Sequence, residues 1–142
     1  HRLDPSRLKE LSFQEAGEWY LLTFFPKEFS YTLNLELAER LSDFIKVQLY
    51  RILQEVIANA KKHSPNGRFL RITMKEDSSG ITLKAETKVF YEVDLNQMKK
   101  SGLKNIDLRV KSLGGELSIE STDSIFKIHI KFKPFNRYYE EN

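Results

Sequence analysis

The chain has no cysteine, which excludes disulfides and thiolate-held metals. No apolar run approaches the ~20 residues that cross a bilayer as a helix, and no secretory leader is expected. Neither sign of charge dominates. The net charge is +3 and the pI about 9.0, and acids are interspersed with the lysines and arginines along most of the chain. That pattern describes a solvated surface and argues against a nucleic-acid stripe. There is no Gly-rich strand-to-helix turn, so a Rossmann fold is not expected. Internal repeats and low-complexity segments are also missing. What remains is an ordinary globular composition, 40% hydrophobic and 30% charged over 142 residues, long enough for one domain with a core of its own.

The apolar residues show how that domain is built. Ser12 is an N-cap for a helix over residues 13–25, reinforced by Glu15 three positions on. Trp19, Leu22 and Phe25 recur at helical spacing and are expected to dock on the body of the domain. Asp4-Pro5-Ser6 starts a shorter helix before it, and Pro26 stops the longer one. Residues 29–35 alternate as a strand. After a polar connection, residues 43–63 form a long helix with Ile45, Leu49, Ile52, Leu53, Val56, Ile57 and Ala60 inward. Ser64-Pro65-Asn66-Gly67 ends it. Residues 68–75 and 81–88 read as a hairpin over residues 76–80. Residues 89–101 have no clean period and read as a lid beside a site. Residues 102–113 form a helix with Leu103, Ile106, Val110 and Leu113 inward, capped at Gly114-Gly115. Residues 116–121 and 125–132 close the fold as a second hairpin. Paired strands separated by helices predict an α/β (α+β) chain, a two-layer sandwich with helices on one face of a mixed sheet.

The long helix carries the chemistry. Glu55 and Asn59 are four apart, so one turn sets both on the same polar stripe, and Lys62 and His63 follow. A carboxylate beside a carboxamide, with basic groups after them, suits a phosphate–metal complex. The same pair also reads as a solvated helix face. His63 reads equally as a helix-end residue meeting the terminal carbonyls. His129 alternates with Ile128 and Ile130 and is expected to face solvent.

Three segments resemble the ATP-binding domain of sensor histidine kinases, within the superfamily that includes gyrase, Hsp90 and MutL. Residues 49–64 are similar to the family's asparagine-containing helix. Residues 101–121 look like its Gly-Leu-x-Asn-Ile…Arg-Val…Leu-Gly-Gly…Ile-Glu-Ser run, found especially in the nitrate-sensor-like subgroup. Residues 1–6 are similar to the exit from the family's dimerisation helices. The resemblance implies a Bergerat-type ATP-binding fold and ATP with Mg²⁺ as ligands. By it, Asn59 ligates the metal, and Glu55 holds a metal-bound water or polarises the attacking group. Lys62 or His63 faces the phosphates. Gly102, beside Leu103, lets the backbone approach phosphate at a helix N-terminus.

Other parts of the family pattern are replaced. Its adenine pocket uses Asp-x-Gly-x-Gly after the strand at residues 81–86. Here Thr87 stands at the Asp position, Val89 at the first Gly and Tyr91 at the second. Thr87 keeps an acceptor oxygen but no carboxylate. Asp94 replaces the lost Asp only through a shifted register. Of the phosphate-facing Gly-x-Gly-Leu, Lys100-Ser101-Gly102-Leu103 keeps the second glycine. None of His1, His63 and His129 sits in the His-Asp setting of a phosphoacceptor.

The resemblance therefore divides the chain into a lead-in after a dimerisation helix (1–28), a kinase-like ATPase domain (29–133) and a tail (134–142). Two functions stay open. One is the catalytic domain of a two-component sensor histidine kinase, presenting Mg-ATP to a histidine outside this sequence. The other is a degenerate domain with weak or no ATP binding and no cofactor, acting as an interaction module. An unrelated α/β binding domain is a third reading. In the first two, the expected partners are the dimerisation and phosphoacceptor helices of the same protein, a response regulator and a second copy in a homodimer. No nucleic acid or membrane contact is expected. The expected location is the cytoplasm, either as a free protein or as the cytoplasmic part of a membrane-anchored one.

Overall fold

Period-2 and period-3.6 apolar patterns alternate along the chain, and among the described residues of the computed structural model they become five strands and three helices. The residues described are 10–25, 30–63, 69–88, 103–122 and 124–134. In order they form α1 (Phe13–Phe24), β1 (Ser30–Asn34), a 3₁₀ turn (Glu36–Arg40), α2 (Asp43–His63), β2 (Phe69–Asp77), β3 (Gly80–Lys88), α3 (Leu103–Ser112), β4 (Glu116–Thr122) and β5 (Ile125–Phe132). Residues 1–9 and 26–28 of the expected lead-in (1–28), the lid at 89–101 and residues 135–142 of the expected tail (134–142) lie outside the described residues. So do Val89, Tyr91, Asp94 and Gly102.

The strands form one mixed sheet in the order β1-β2-β3-β5-β4. β1 runs parallel to β2, and the other pairs are antiparallel. Register aligns Ile72, Ala85 and Ile128, with Ile119 beyond them on the edge strand. Ile72, Ala85 and Ile128 are buried beneath the helices. The alternate positions, Arg71, Lys84, Lys127 and His129 among them, keep at least part of their surface in water. Charged side chains on one face and aliphatic ones on the other mean that only one face is covered, as a two-layer sandwich requires. His129 lies on the wet face, as its alternation predicts.

All seven predicted inward positions of α2 are buried, and so are the four of α3. Gly114, at φ +71°, supplies the left-handed residue that ends α3. The first hairpin is tighter than expected. β2 extends to Asp77, and the turn is Ser78-Ser79, with Gly80 at φ +132° opening β3. Asp77 Oδ1 accepts from the Ser79 amide at 2.7 Å and from its hydroxyl at 2.6 Å. These bonds hold the Asp77 carboxyl below its ordinary pKa.

The capping box at α1 forms as predicted. The Ser12 hydroxyl accepts from the Glu15 amide and the Glu15 carboxylate from the Ser12 amide, each at 3.0 Å. The docking face of α1 differs from the expected one. Trp19 and Leu22 are 40% and 45% exposed, while Phe13, Ala16, Gly17, Tyr20 and Leu21 are buried. Phe25 is buried, as expected. The reason is space. A Cβ on Gly17 would stand 2.9 Å from Leu35 and 3.1 Å from Leu53, so the face carrying Ala16 and Gly17 packs tightly on α2 and on the residue that follows β1. Gln14 completes the join: its amide nitrogen donates to the Leu33 carbonyl at 2.9 Å, and its oxygen accepts from the Leu35 amide at 2.8 Å.

Candidate nucleotide site

Helical phase decides what α2 presents to the sheet. Asn59 is one turn beyond Glu55 but turned further inward: Asn59 is 6% exposed and Glu55 is half-buried. Asn59 shares the lining of one small cavity with Thr87 of β3, also 6% exposed. Thr87 is the last inward position in the alternation Ile81, Leu83, Ala85, Thr87, and register places it between Leu70 and Phe126. The sequence thus brings a carboxamide and a hydroxyl to opposite walls of one small cavity. Val56 and Ala60 close it on the helix side, and Phe126 and Ile128 close it on the sheet side.

Hydrogen bonding gives the cavity a definite polarity. The Thr87 hydroxyl donates to the Phe69 carbonyl at 3.1 Å. That occupies its single proton and leaves lone pairs for anything else nearby. Asn59 Oδ1 is buried and has no hydrogen-bond partner among the described residues. A buried acceptor without a donor costs about 1–3 kcal/mol, so a stable fold gains nothing from it unless a ligand or water completes it. Two acceptor oxygens suit an N–H donor or a hard cation. The void itself is about 10 Å³, room for at most one water.

Among the described residues no cluster of three His, Cys, Asp or Glu could cage a metal. Mg²⁺ needs no such cage, since it commonly takes one or two protein oxygens and fills its other positions with water and phosphate. The Asn59 carboxamide oxygen, buried and unsatisfied, fits that requirement.

The remaining predicted residues are more scattered. Lys62 is exposed near the end of α2, and His63 is its last residue. Leu103 opens α3, is 2% exposed, and packs toward β4 beside Leu117 and Ile119, away from the Asn59 cavity. The structure brings Asn59 and Thr87 together and leaves Leu103 in the core. Sequence reasoning missed the Phe69 carbonyl, which sets the polarity of Thr87. Only the β2–β3 register exposes that role, because a backbone acceptor leaves no residue-type signal.

No family model matches the sequence, and no curated protein does. Solved structures match in fold. The histidine kinase AdeS of Acinetobacter baumannii superposes with TM-score 0.62 at 18% identity, over 92% of this chain and 65% of that one. The blue-light activated histidine kinase EL346 of Erythrobacter litoralis does so with TM-score 0.70 at 11% identity, over 88% of this chain and 42% of that one. The ATP-binding domain of PrrB from Mycobacterium tuberculosis matches with TM-score 0.63 at 13% identity, over 86% of this chain and 90% of that one. The chain thus spans less than two thirds of AdeS and EL346 but nearly all of the PrrB domain. The architecture predicted from the strand and helix pattern is the one these proteins share: the chain has the fold of the histidine kinase ATP-binding domain.

Proposed function

We propose that this chain is the catalytic ATP-binding domain of a two-component sensor histidine kinase. The observation that carries the reading is the partnerless buried oxygen of Asn59, facing Thr87, in a fold shared with kinase ATP-binding domains. In this reading Asn59 contributes an oxygen to Mg²⁺, which neutralises phosphate charge when bound. Thr87, its proton held by Phe69, accepts from an amino group of the base. Glu55, one turn before Asn59 and partly open to water, orients a water or the attacking group. Lys62 or His63 at the end of α2 attracts phosphate. Leu103 and the residues after it offer main-chain N–H groups at the start of α3. The domain acts chiefly by positioning.

The phosphoacceptor is a histidine on a helix pair of the same, longer protein. That protein works in the cytoplasm as a homodimer and passes its phosphoryl group to a response regulator. Among the described residues no helix is long and apolar enough to cross a membrane.

Calorimetric titration with Mg-ATP tests the reading, with Asn59→Ala beside the unaltered chain. Saturating heat that disappears in the variant is the expected result. Absence of heat at millimolar nucleotide, in a sample shown by circular dichroism to be folded, overturns it and leaves a kinase-like scaffold.

A further inference from the structure

Two of the large apolar side chains most open to solvent lie together, away from the Asn59 cavity. Phe44, in the first turn of α2, is 56% exposed, and Leu108 on α3 is 58% exposed. They flank a groove of about 310 Å³ that also takes in Gln48, Asn105, Arg109 and Ser112. Isolated exposed apolar residues are common, but two on the walls of one groove mark a surface that gains by being covered.

Arg109 supplies the second observation. Its Nε is buried and has no hydrogen-bond partner among the described residues. Among the described residues it makes no ion pair, although its neighbours on α3, Asp107 and Lys111, pair with each other at 2.9 Å. The Ser112 hydroxyl donates to the Arg109 carbonyl at 2.6 Å and leaves the guanidinium to find its acceptor elsewhere. The lining holds no carboxylate at all. A guanidinium presents a planar fork of donors matched to a carboxylate. A buried donor left unpaired in that fork is a cost the free domain bears.

We propose that the groove between the first turn of α2 and α3 is a docking site for an amphipathic helix. That helix carries two apolar side chains one turn apart and a Glu or Asp beside them. The apolar pair covers Phe44 and Leu108, and the carboxylate closes on Arg109, in the manner of a helix laid in an apolar groove. The charge complement, and the absence of any competing acid in the lining, select an acidic helix over a basic one. The site is independent of the nucleotide reading and involves none of its residues.

The test uses two helical peptides of roughly 16 residues, alike except that one carries Glu and the other Lys beside the same two leucines. Each is titrated into the isotope-labelled full chain while backbone amide shifts are followed. The Glu peptide is expected to move the amides of Phe44, Gln48, Asn105 and Leu108 and to bind about tenfold tighter than the Lys peptide. Arg109→Glu is expected to reverse that preference. Leu108→Ser, an exposed position that leaves the core intact, is expected to weaken both peptides with the spectrum otherwise unchanged. Equal binding of the two peptides overturns the proposal, as do shifts centred elsewhere or no shifts at all. Dimerisation of the chain alone that is lost in Leu108→Ser also overturns it, assigning the groove to a second copy.

Discussion

Tyr50 sits at the centre of the α1–α2 contact, fully buried, with its ring edge-on to Phe13 and Tyr20 at centroid distances of 6.3 Å each. Its hydroxyl has no hydrogen-bond partner among the described residues. Tyr50→Phe keeps the ring contacts and removes the oxygen. An unsatisfied buried hydroxyl costs about 1–3 kcal/mol, and the small void left behind costs less than about 1 kcal/mol, so the variant is expected to gain about 1 kcal/mol near neutral pH. Burial first, and the neighbouring Tyr20 second, push the Tyr50 pKa from 10.0 up to about 12. The sign follows from proton uptake. Between those values the unfolded chain has released the proton and the folded chain has kept it, so alkali favours unfolding of the wild type. The stabilisation is complete below pH 10 and is lost as pH rises towards 12. At about pH 11 the unfolded tyrosine is ionised roughly ten to one and the folded one is not, a difference of about 1.4 kcal/mol. Phenylalanine has no such term, so its advantage should grow from about 1 kcal/mol near neutrality to roughly 2.5 kcal/mol at about pH 11. Lysine titration is common to both chains and cancels in the difference. Urea unfolding at the two pH values measures it, with a neutral-pH midpoint shift of about 0.5 M for a typical slope. A variant that is less stable near neutrality, or a difference that does not change with pH, would refute the argument.

Asn59→Ala should change stability by less than about 1 kcal/mol, because relief of the unpaired oxygen offsets the lost packing; a loss above about 3 kcal/mol in urea would show the carboxamide to be structural. Ser12→Ala removes one half of the capping box and should cost about 1 kcal/mol, seen as a drop of a few degrees in thermal unfolding. Gly80→Ala should cost about 3 kcal/mol, since a Cβ there meets the Phe132 carbonyl oxygen at 2.6 Å on a backbone at φ +132° that side chains rarely adopt; a midpoint unchanged in urea would contradict it.

Element type and inward faces were legible wherever a pattern repeated. The seven inward residues of α2 and the four of α3 follow from a 3.6 period, and the paired strands follow from alternation, because burial on one side imposes those periods directly. The docking face of α1 was not legible in the same way. Large side chains suggested Trp19 and Leu22, but the contact is made by the face with room for close approach, which Gly17 provides and periodicity does not weigh. The site divided along the same line. Glu55 and Asn59 stand one turn apart by sequence spacing alone, and Thr87 falls on an inward position by alternation. Sequence thus determined a two-layer fold and the side chains offered to its site. Only the tertiary structure decided that Asn59 turns into the core while Glu55 stays partly wet, and that β2–β3 register sets the Phe69 carbonyl against Thr87. It also decided that Arg109 ends beside Phe44 and Leu108 without a carboxylate. Those outcomes depend on contacts between residues far apart in the chain, and hydrogen-bond polarity exists only once the partners have met.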